Sequence, residues 1–479
     1  MTAGLPADQV LDELRGLRDG DLPTHGGRTL AYVYDSGLSG VDSLAAAAHA
    51  LASSANALDP TAFPSLLRME NDVVATAAAL LGGGPDTVGS VTSGGTESCL
   101  LAVQAARDAR ADVDRPRMVL ATTAHAAFHK AAHYFGVEAV GVPVDPVTFR
   151  ADPDAMAAAI DDRTVLVVVS APSYAHGVVD PVAPVAAAAA ERGVRCHVDA
   201  CIGGWVLPHL RHLGVPVPDF DLSVPGVTSL SVDLHKYAYC PKGTSVLLHA
   251  SAGLRHAQYF ASARWPGYTM LNSTLQSTRS GGPLAAAWAV LRHLGDAGYA
   301  RLAALTLGAV RALRSGIEEV EGLRILGDPV STLLAVAADG DDVDVFTVAD
   351  EMTERRWYVQ PQFAFESSPA NLHLTVTAAN HGSEAELLAD LAGAVAAARR
   401  AGPVRLAPEL VSAIGALDPD SLTHEQFAGL LAAAGFDGVD GAVAAPKRMA
   451  EVNAMLAVAA PALRERLLVE FLSAMYTPT

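Results

Sequence analysis

Lysine is scarce in this 479-residue chain: it occupies only positions 130, 236, 242 and 447, and lysine plus arginine total 33 against 52 aspartates and glutamates. The formal charge of −19 argues against a general nucleic-acid or anionic-membrane surface, so any anionic ligand must be held by a local site. Half the residues are apolar, many of them alanine, yet no uninterrupted apolar run reaches the roughly 20 residues that span a bilayer. No integral membrane segment is expected. The N-terminal stretch "MTAGLPADQVLDELRGLRDG" carries acids and lacks the apolar core of a signal peptide, which predicts a cytoplasmic protein. Four cysteines, Cys99, Cys196, Cys201 and Cys240, form no CxxC pair and no zinc-like array. They are expected as reduced thiols in or near the core, with no metal centre.

What is present is a βαβ texture. Valine and isoleucine runs bounded by glycine and proline alternate with alanine-rich helical stretches, the pattern of a mostly parallel sheet. "RTVLVVVSAP" reads as a buried strand, "VAPVAAAAAERG" as a helix closed by glycine, and "VRCHVDA" as the next strand. "TSLSVDL" and "TSVLLHA" predict two more. After about residue 296 come a helix, short strands with a helix between them, and a closing helix that ends at Gly402-Pro403, a plausible smaller α/β domain. The expected organisation is an N-terminal segment over 1–60, a large domain over 61–295, a small domain over 296–403 and a helical extension over 404–479. Helices in that extension are expected to start near Ser421, Pro446 and Pro461.

Three short segments carry candidate chemistry. "SVTSGGTES" offers two glycines for close backbone approach before a helix whose free N–H groups suit an anion, but its spacing matches neither GxxxxGK[ST] nor GxGxxG. Alone, such a turn is more often only a turn. In "CHVDACIGG", Asp199 ends an apolar strand; it either caps the next helix or faces a protonated ring nitrogen at the ligand-binding end of a parallel sheet. In "SVDLHKY", Lys236 follows a strand in apolar surroundings expected to lower its pKa and make it a nucleophile toward carbonyls; a snorkelling surface lysine is the alternative. Anion cradle, carboxylate and amine, each at a strand end, are together the parts that hold pyridoxal phosphate. His125, His129 and His133 recur at i, i+4 and i+8, one face of a helix; HExxH is absent, so His125 is read as a ring-stacking residue and the other two as structural.

With those residues the chain resembles the pyridoxal phosphate enzymes of the group II decarboxylase type, and among them the sphingosine-1-phosphate lyases. The matching motifs run from about Tyr34 to Gly282: "NALDPTAFPSLLRMENDVVA", "TSGGTES", "TAHAAFHKAA", "HVDACIGG", "SVDLHKYAYCPKGTSV" and "STRSGG". The resemblance implies an aspartate-aminotransferase-like (type I) α/β fold, usually a homodimer with shared active sites. It implies Lys236 as the Schiff-base lysine and Asp199 as partner of the pyridine nitrogen. It also implies His125 on the ring face, Ser170 beside the ring, and Gly95, Thr96 and His235 on the phosphate, with Gly281 reaching that phosphate from the neighbouring subunit. Lys242, in "PKGTS", matches a second lysine typical of the lyases, and Tyr34 a tyrosine they present to substrate.

Two departures fall on the substrate side. Asp59 stands where the lyases usually carry histidine, and a carboxylate there would repel a substrate phosphate. "RWPGYTML" is shorter than the lyase pattern around tryptophan, glycine and tyrosine. The implied activity is carbon–carbon cleavage of a phosphorylated 2-amino-3-hydroxy compound; amino-acid decarboxylation and a non-catalytic protein on the same fold are the alternatives. The expected partner is a small amine or phosphorylated amino alcohol, and not nucleic acid.

Overall fold

The computed structural model describes residues 4–476 except 434, 436, 440, 441, 445 and 447, so the ends of the expected terminal segments, 1–3 and 477–479, lie outside the described residues. Seven strands build the main sheet: β1 Val88–Thr92, β2 Arg117–Ala121, β3 Glu138–Val142, β4 Thr164–Ser170, β5 Arg195–Asp199, β6 Ser229–Asp233 and β7 Ser245–His249. Their order is β1-β7-β6-β5-β4-β2-β3, and only β7 runs antiparallel to its neighbours. All seven residues of β4 are buried, because a central strand covered on both faces needs an unbroken apolar run, which "TVLVVVS" supplies. The helix Val182–Glu191 crosses from β4 to β5 and ends before Gly193, whose φ of 66° suits the residue after a helix C-terminus.

Register sets what meets at the upper edge of this sheet. Ser170 pairs with Asp199, and Asp199 with Ser231, so β4, β5 and β6 end side by side. The turn after β5 then folds back tightly under that edge. A Cβ on Gly203 would lie 2.3 Å from the Ala171 carbonyl oxygen, so only glycine fits the first position of this Gly-Gly pair.

An exposed hairpin, β8 Phe260–Ser262 and β9 Met270–Asn272, precedes the helical span Gly281–Glu318, which is broken at Gly295 (φ 54°, ψ −177°). Beyond it lie β10 Leu323–Ile325, β11 Leu333–Ala338, β12 Gln360–Gln362 and β13 Asn371–Thr375, ordered β10-β11-β13-β12 in an antiparallel sheet. A second core, centred on fully buried Trp357, packs this sheet against the helix Glu384–Ala401. Near the N-terminus, Leu30 is stitched into the same sheet: its N–H donates to Tyr358 O at 2.9 Å, and its carbonyl accepts from Thr375 N at 2.7 Å. The C-terminal helices include His424–Ala433, Ala450–Val458 and Pro461–Met475, starting close to the predicted positions. No helix among the described residues is long and apolar enough to cross a membrane.

Among the buried histidines, burial pushes the pKa values of His176, His197, His249 and His373 down to about 4, 4, 4 and 3. Below the ordinary value of 6.5 the unfolded chain therefore binds protons that the folded chain refuses, and stability is lost as pH falls from about 6.5 towards 4. Buried Asp180, raised by burial to about 6, acts with the opposite sign and offsets part of the loss between about pH 4 and 6. The melting temperature is expected to fall between pH 7 and pH 5, with a shallower slope in His197→Gln. A flat or rising melting temperature across that interval would contradict this reading.

Candidate active site

A cavity of about 410 Å³ opens at the C-terminal ends of the parallel strands, where doubly wound sheets bind ligands. Gly95, Thr96, His125, Ser170, Asp199, His235 and Lys236, all singled out by sequence, line it together. Strand geometry explains the convergence: Ser170 and Asp199 are the last residues of β4 and β5, and His235 and Lys236 follow the end of β6. The anion cradle follows β1, where the 14-residue helix Gly95–Asp108 points its N-terminus at the cavity. Buried Glu97 fixes that turn, accepting from Ser93 N at 2.6 Å and from Leu275 N at 2.9 Å.

Lys236 is no surface lysine. Its Nζ lies 2.9 Å from Oδ2 of Asp233, three residues earlier, in a buried ion pair. Asp233 is the charged partner that sequence reading passed over, although it sits inside "SVDLHKY". Its Oδ1 accepts from Ser245 Oγ at 2.5 Å, and His235 Nε2 stands 3.6 Å from Oδ2. The expectation of a lowered lysine pKa is corrected: burial does push the amine down, but the charge of Asp233, helped by Tyr34, outweighs it and raises the Lys236 pKa well above its ordinary value. Asp233 shifts down in return: burial opposes its ionisation, and the charges of Lys236 and His235 more than compensate. Space for the pair depends on Gly95, since a Cβ there would lie 2.6 Å and 2.7 Å from the Asp233 carboxylate oxygens.

The remaining residues fit the implied cofactor. Asp199 directs its hydrogen bonds through Oδ1, accepting from Cys201 N at 3.1 Å and Ser231 Oγ at 3.5 Å. His235 Nδ1 donates to Thr244 O at 3.1 Å, which aims Nε2 away from that carbonyl; burial lowers its pKa. Ser170 is pinned from below, its N–H donating to Asp180 Oδ2 at 2.8 Å. His125 precedes the helix Ala127–Phe135 instead of lying on it, so the single-face alignment with His129 and His133 does not hold, and the latter two are exposed. His125 Nδ1 accepts from Ala127 N at 3.2 Å, and its ring meets Tyr174 edge-on with centroids 6.4 Å apart.

Tyr34 and Lys242 stand beside the cavity. Tyr34 packs edge-on against Tyr237 at 5.1 Å, and burial raises its pKa. Lys242 Nζ lies 5.3 Å from the Tyr34 ring centre and donates to Tyr32 O at 2.8 Å. Gly281 is outside the cavity of its own chain, packed so closely on Leu66 that a Cβ would lie 2.6 Å from Leu66 Cδ2. Asp59 is exposed and engaged in its own turn, accepting from Thr61 N at 2.8 Å and Thr61 Oγ1 at 2.6 Å; these bonds lower its pKa.

Replacing Asp233 with asparagine leaves the Lys236 ammonium buried without its counter-charge. Loss of one partner of a buried pair costs about 3–5 kcal/mol, less whatever Lys236 recovers by releasing its proton. Chemical denaturation of Asp233→Asn is expected to read a loss of about 2 kcal/mol or more; a change under about 0.5 kcal/mol, the usual size of a surface substitution, would refute the importance of the pair.

Comparison with known proteins agrees with this geometry. Residues 24–337 match the pyridoxal-dependent decarboxylase conserved domain, and residues 408–474 the pyridoxal-dependent enzyme C-terminal putative HTH domain. A sphingosine-1-phosphate lyase of Dictyostelium discoideum is 39% identical over 345 residues, 72% of this chain and 64% of that protein. One of Oryza sativa is 36% identical over 403 residues, 82% and 73% of the two chains. The chain thus spans roughly two thirds of the length of these relatives. The solved sphingosine-1-phosphate lyase of Burkholderia pseudomallei is similar with a TM-score of 0.79 and 37% identity, covering 84% of this chain and 93% of that one. With Lys236, Asp199 and the glycine cradle meeting in one cavity, the chain belongs to the pyridoxal-dependent decarboxylase family and has its type I fold.

Proposed function

We propose that the chain is a pyridoxal phosphate-dependent carbon–carbon lyase that cleaves the C2–C3 bond of a phosphorylated 2-amino-3-hydroxy compound, releasing an aldehyde. The observation that carries this reading is Lys242, a second amine beside Tyr34 and within electrostatic reach of Lys236. Although the residue reaches the surface, partial desolvation of its amine, followed by repulsion from Lys236, lowers its pKa, whereas Tyr34 and Lys236 are both raised. Of the three groups Lys242 is therefore the readiest to take the C3 hydroxyl proton. Asp59 keeps its negative charge but is exposed, where solvent and salt screen its repulsion of a substrate phosphate.

When bound, the cofactor supplies an aldehyde that captures amines and a ring that accepts the electron pair of the broken bond. Lys236 Nζ is the amine that would anchor it. Asp199 would hold a proton on the ring nitrogen. The helix N-terminus at Gly95 and Thr96, with His235, would bind the phosphate, while His125 and Ser170 would confine the ring. Protons move at the hydroxyl and amine of the substrate through Lys242, Tyr34 and Lys236.

We further read the protein as a cytoplasmic homodimer with shared sites, in which "STRSGG" brings Gly281 to the neighbour's cofactor phosphate. Its exposed apolar side chains, among them Leu17, Trp265 and Tyr268, support association. In the proposed division, 61–295 carries the cofactor and 296–403 forms the small domain, a border that coincides with the helix break at Gly295. The segment 1–60 serves the dimer and the substrate entrance, and the extension 404–479 caps the small domain.

Amino-acid decarboxylation is the second reading, because it needs the same anchor, ring partner and phosphate cradle. Product analysis separates the two. The loaded protein is incubated with phosphorylated sphingoid bases, shorter phosphorylated amino alcohols and a panel of L-amino acids; an aldehyde with phosphoethanolamine supports the lyase, and carbon dioxide with an amine overturns it. Lys242→Gln is expected to lower kcat about 10²- to 10⁴-fold with cofactor content unchanged. Lys236→Ala is expected to abolish both the yellow absorbance and turnover; normal turnover in that variant would exclude the mechanism.

A further inference from the structure

Cys99 and Cys201 are far apart in sequence, and the chemistry above uses neither thiol. Cys99 is the fifth residue of the helix Gly95–Asp108, and Cys201 lies in the turn after β5, two residues beyond Asp199. The fold brings both Sγ atoms and a carboxylate oxygen of Asp199 within 4.8 Å of one another. All three residues are buried and all three line the cofactor cavity. Gly95 again makes the approach possible: a Cβ there would stand 2.9 Å from Cys201 Sγ. Cys201 Sγ donates to Ser231 Oγ at 3.2 Å.

Two sulfurs and a carboxylate form a soft donor set of the kind that selects thiophilic ions. Tetrahedral zinc, with bonds of about 2.3 Å to sulfur and 2.0–2.2 Å to oxygen, separates its ligand atoms by roughly 3.4–3.8 Å. The cluster needs to contract by no more than about 1.4 Å to reach that geometry. Three protein donors with a fourth position open to a cavity is the usual form of an accessible zinc site.

We propose that Cys99, Cys201 and Asp199 bind one thiophilic divalent cation, of the zinc and cadmium class, when the cofactor is absent, and that cation and cofactor exclude each other. Binding forms two metal–sulfur bonds and one metal–oxygen bond and releases the two thiol protons to solvent, with no change of oxidation state. Exclusion follows because both ligands claim Asp199. That half of the proposal rests on Asp199 being the ring partner; the donor cluster itself does not.

The test uses the full chain, stripped of cofactor and reloaded, titrated with cadmium. Binding is read by the ultraviolet sulfur-to-cadmium charge-transfer band and by metal analysis after dialysis. The expected result is one cadmium per stripped chain, released when pyridoxal phosphate is added. Cys99→Ser, nearly isosteric, and Cys201→Ser should each lose the band and weaken binding at least about tenfold, with folding checked by circular dichroism. Cys196→Ala, which alters another buried thiol, should keep the band. A band that survives both serine substitutions, no band in the stripped chain, or cadmium held at full stoichiometry beside the cofactor would overturn the proposal. Visible absorbance of the cadmium-free reloaded protein reports cofactor binding separately, so failure of the cofactor assignment is not mistaken for failure of the cation site.

Discussion

The buried pair between Lys236 and Asp233 is the constraint around which the site is arranged. An ammonium cannot remain inside a protein unless a counter-charge meets it, and here the counter-charge comes from the last residue of the same strand. The pair sets a chain of requirements. Asp233 must be held by Ser245 on the adjacent antiparallel strand, and the helix carrying the anion cradle must begin with a residue lacking a Cβ. Gly95 thus does two jobs that the motif "TSGGTES" does not separate: it exposes backbone to an anion and makes room for a carboxylate.

The electrostatics of the cavity follow from the same arrangement. Two carboxylates, Asp199 and Asp233, sit on neighbouring strands β5 and β6, while the positive charges of Lys236 and Lys242 approach from the segment between β6 and β7. Lys236 is stabilised as an ammonium and Lys242 is pushed the other way. The fold therefore makes two lysines, six residues apart, chemically different.

Much of this could be read from the chain because parallel sheets advertise themselves. Buried strands appear as unbroken valine runs, and strand ends carry polar residues that a buried strand cannot tolerate elsewhere. Asp199 and Lys236 were legible for that reason, whereas Ser170 was implied only by the family resemblance. Asp233 was hidden by its neighbours: in an alternating segment it looked like the polar phase of a strand, and only the turn that brings Lys236 back over it reveals the pair. The lysine pKa was misjudged for the same cause, since burial could be foreseen and the partner could not. His125 failed as a helical residue because the helix starts two positions later, a boundary that i, i+4 spacing does not fix. The thiol cluster joins two distant segments, and cysteine spacing is informative only when ligands come from one local turn.

The stitching of Leu30 between Tyr358 and Thr375 has a consequence for the order in which the molecule can be completed. Residues near 30 leave the ribosome early, yet their hydrogen-bond partners on the small-domain sheet are made more than 300 residues later. Until then the carbonyl of Tyr32, which receives the Lys242 ammonium, has no fixed position. The cavity is lined by residues 93–236 and braced by Ser245 and Leu275, so it can be complete before the small-domain sheet is made; the substrate side closes only when the chain is nearly finished. A nascent chain of this protein would thus pass through a stage able to hold a cofactor but not yet able to act on a substrate.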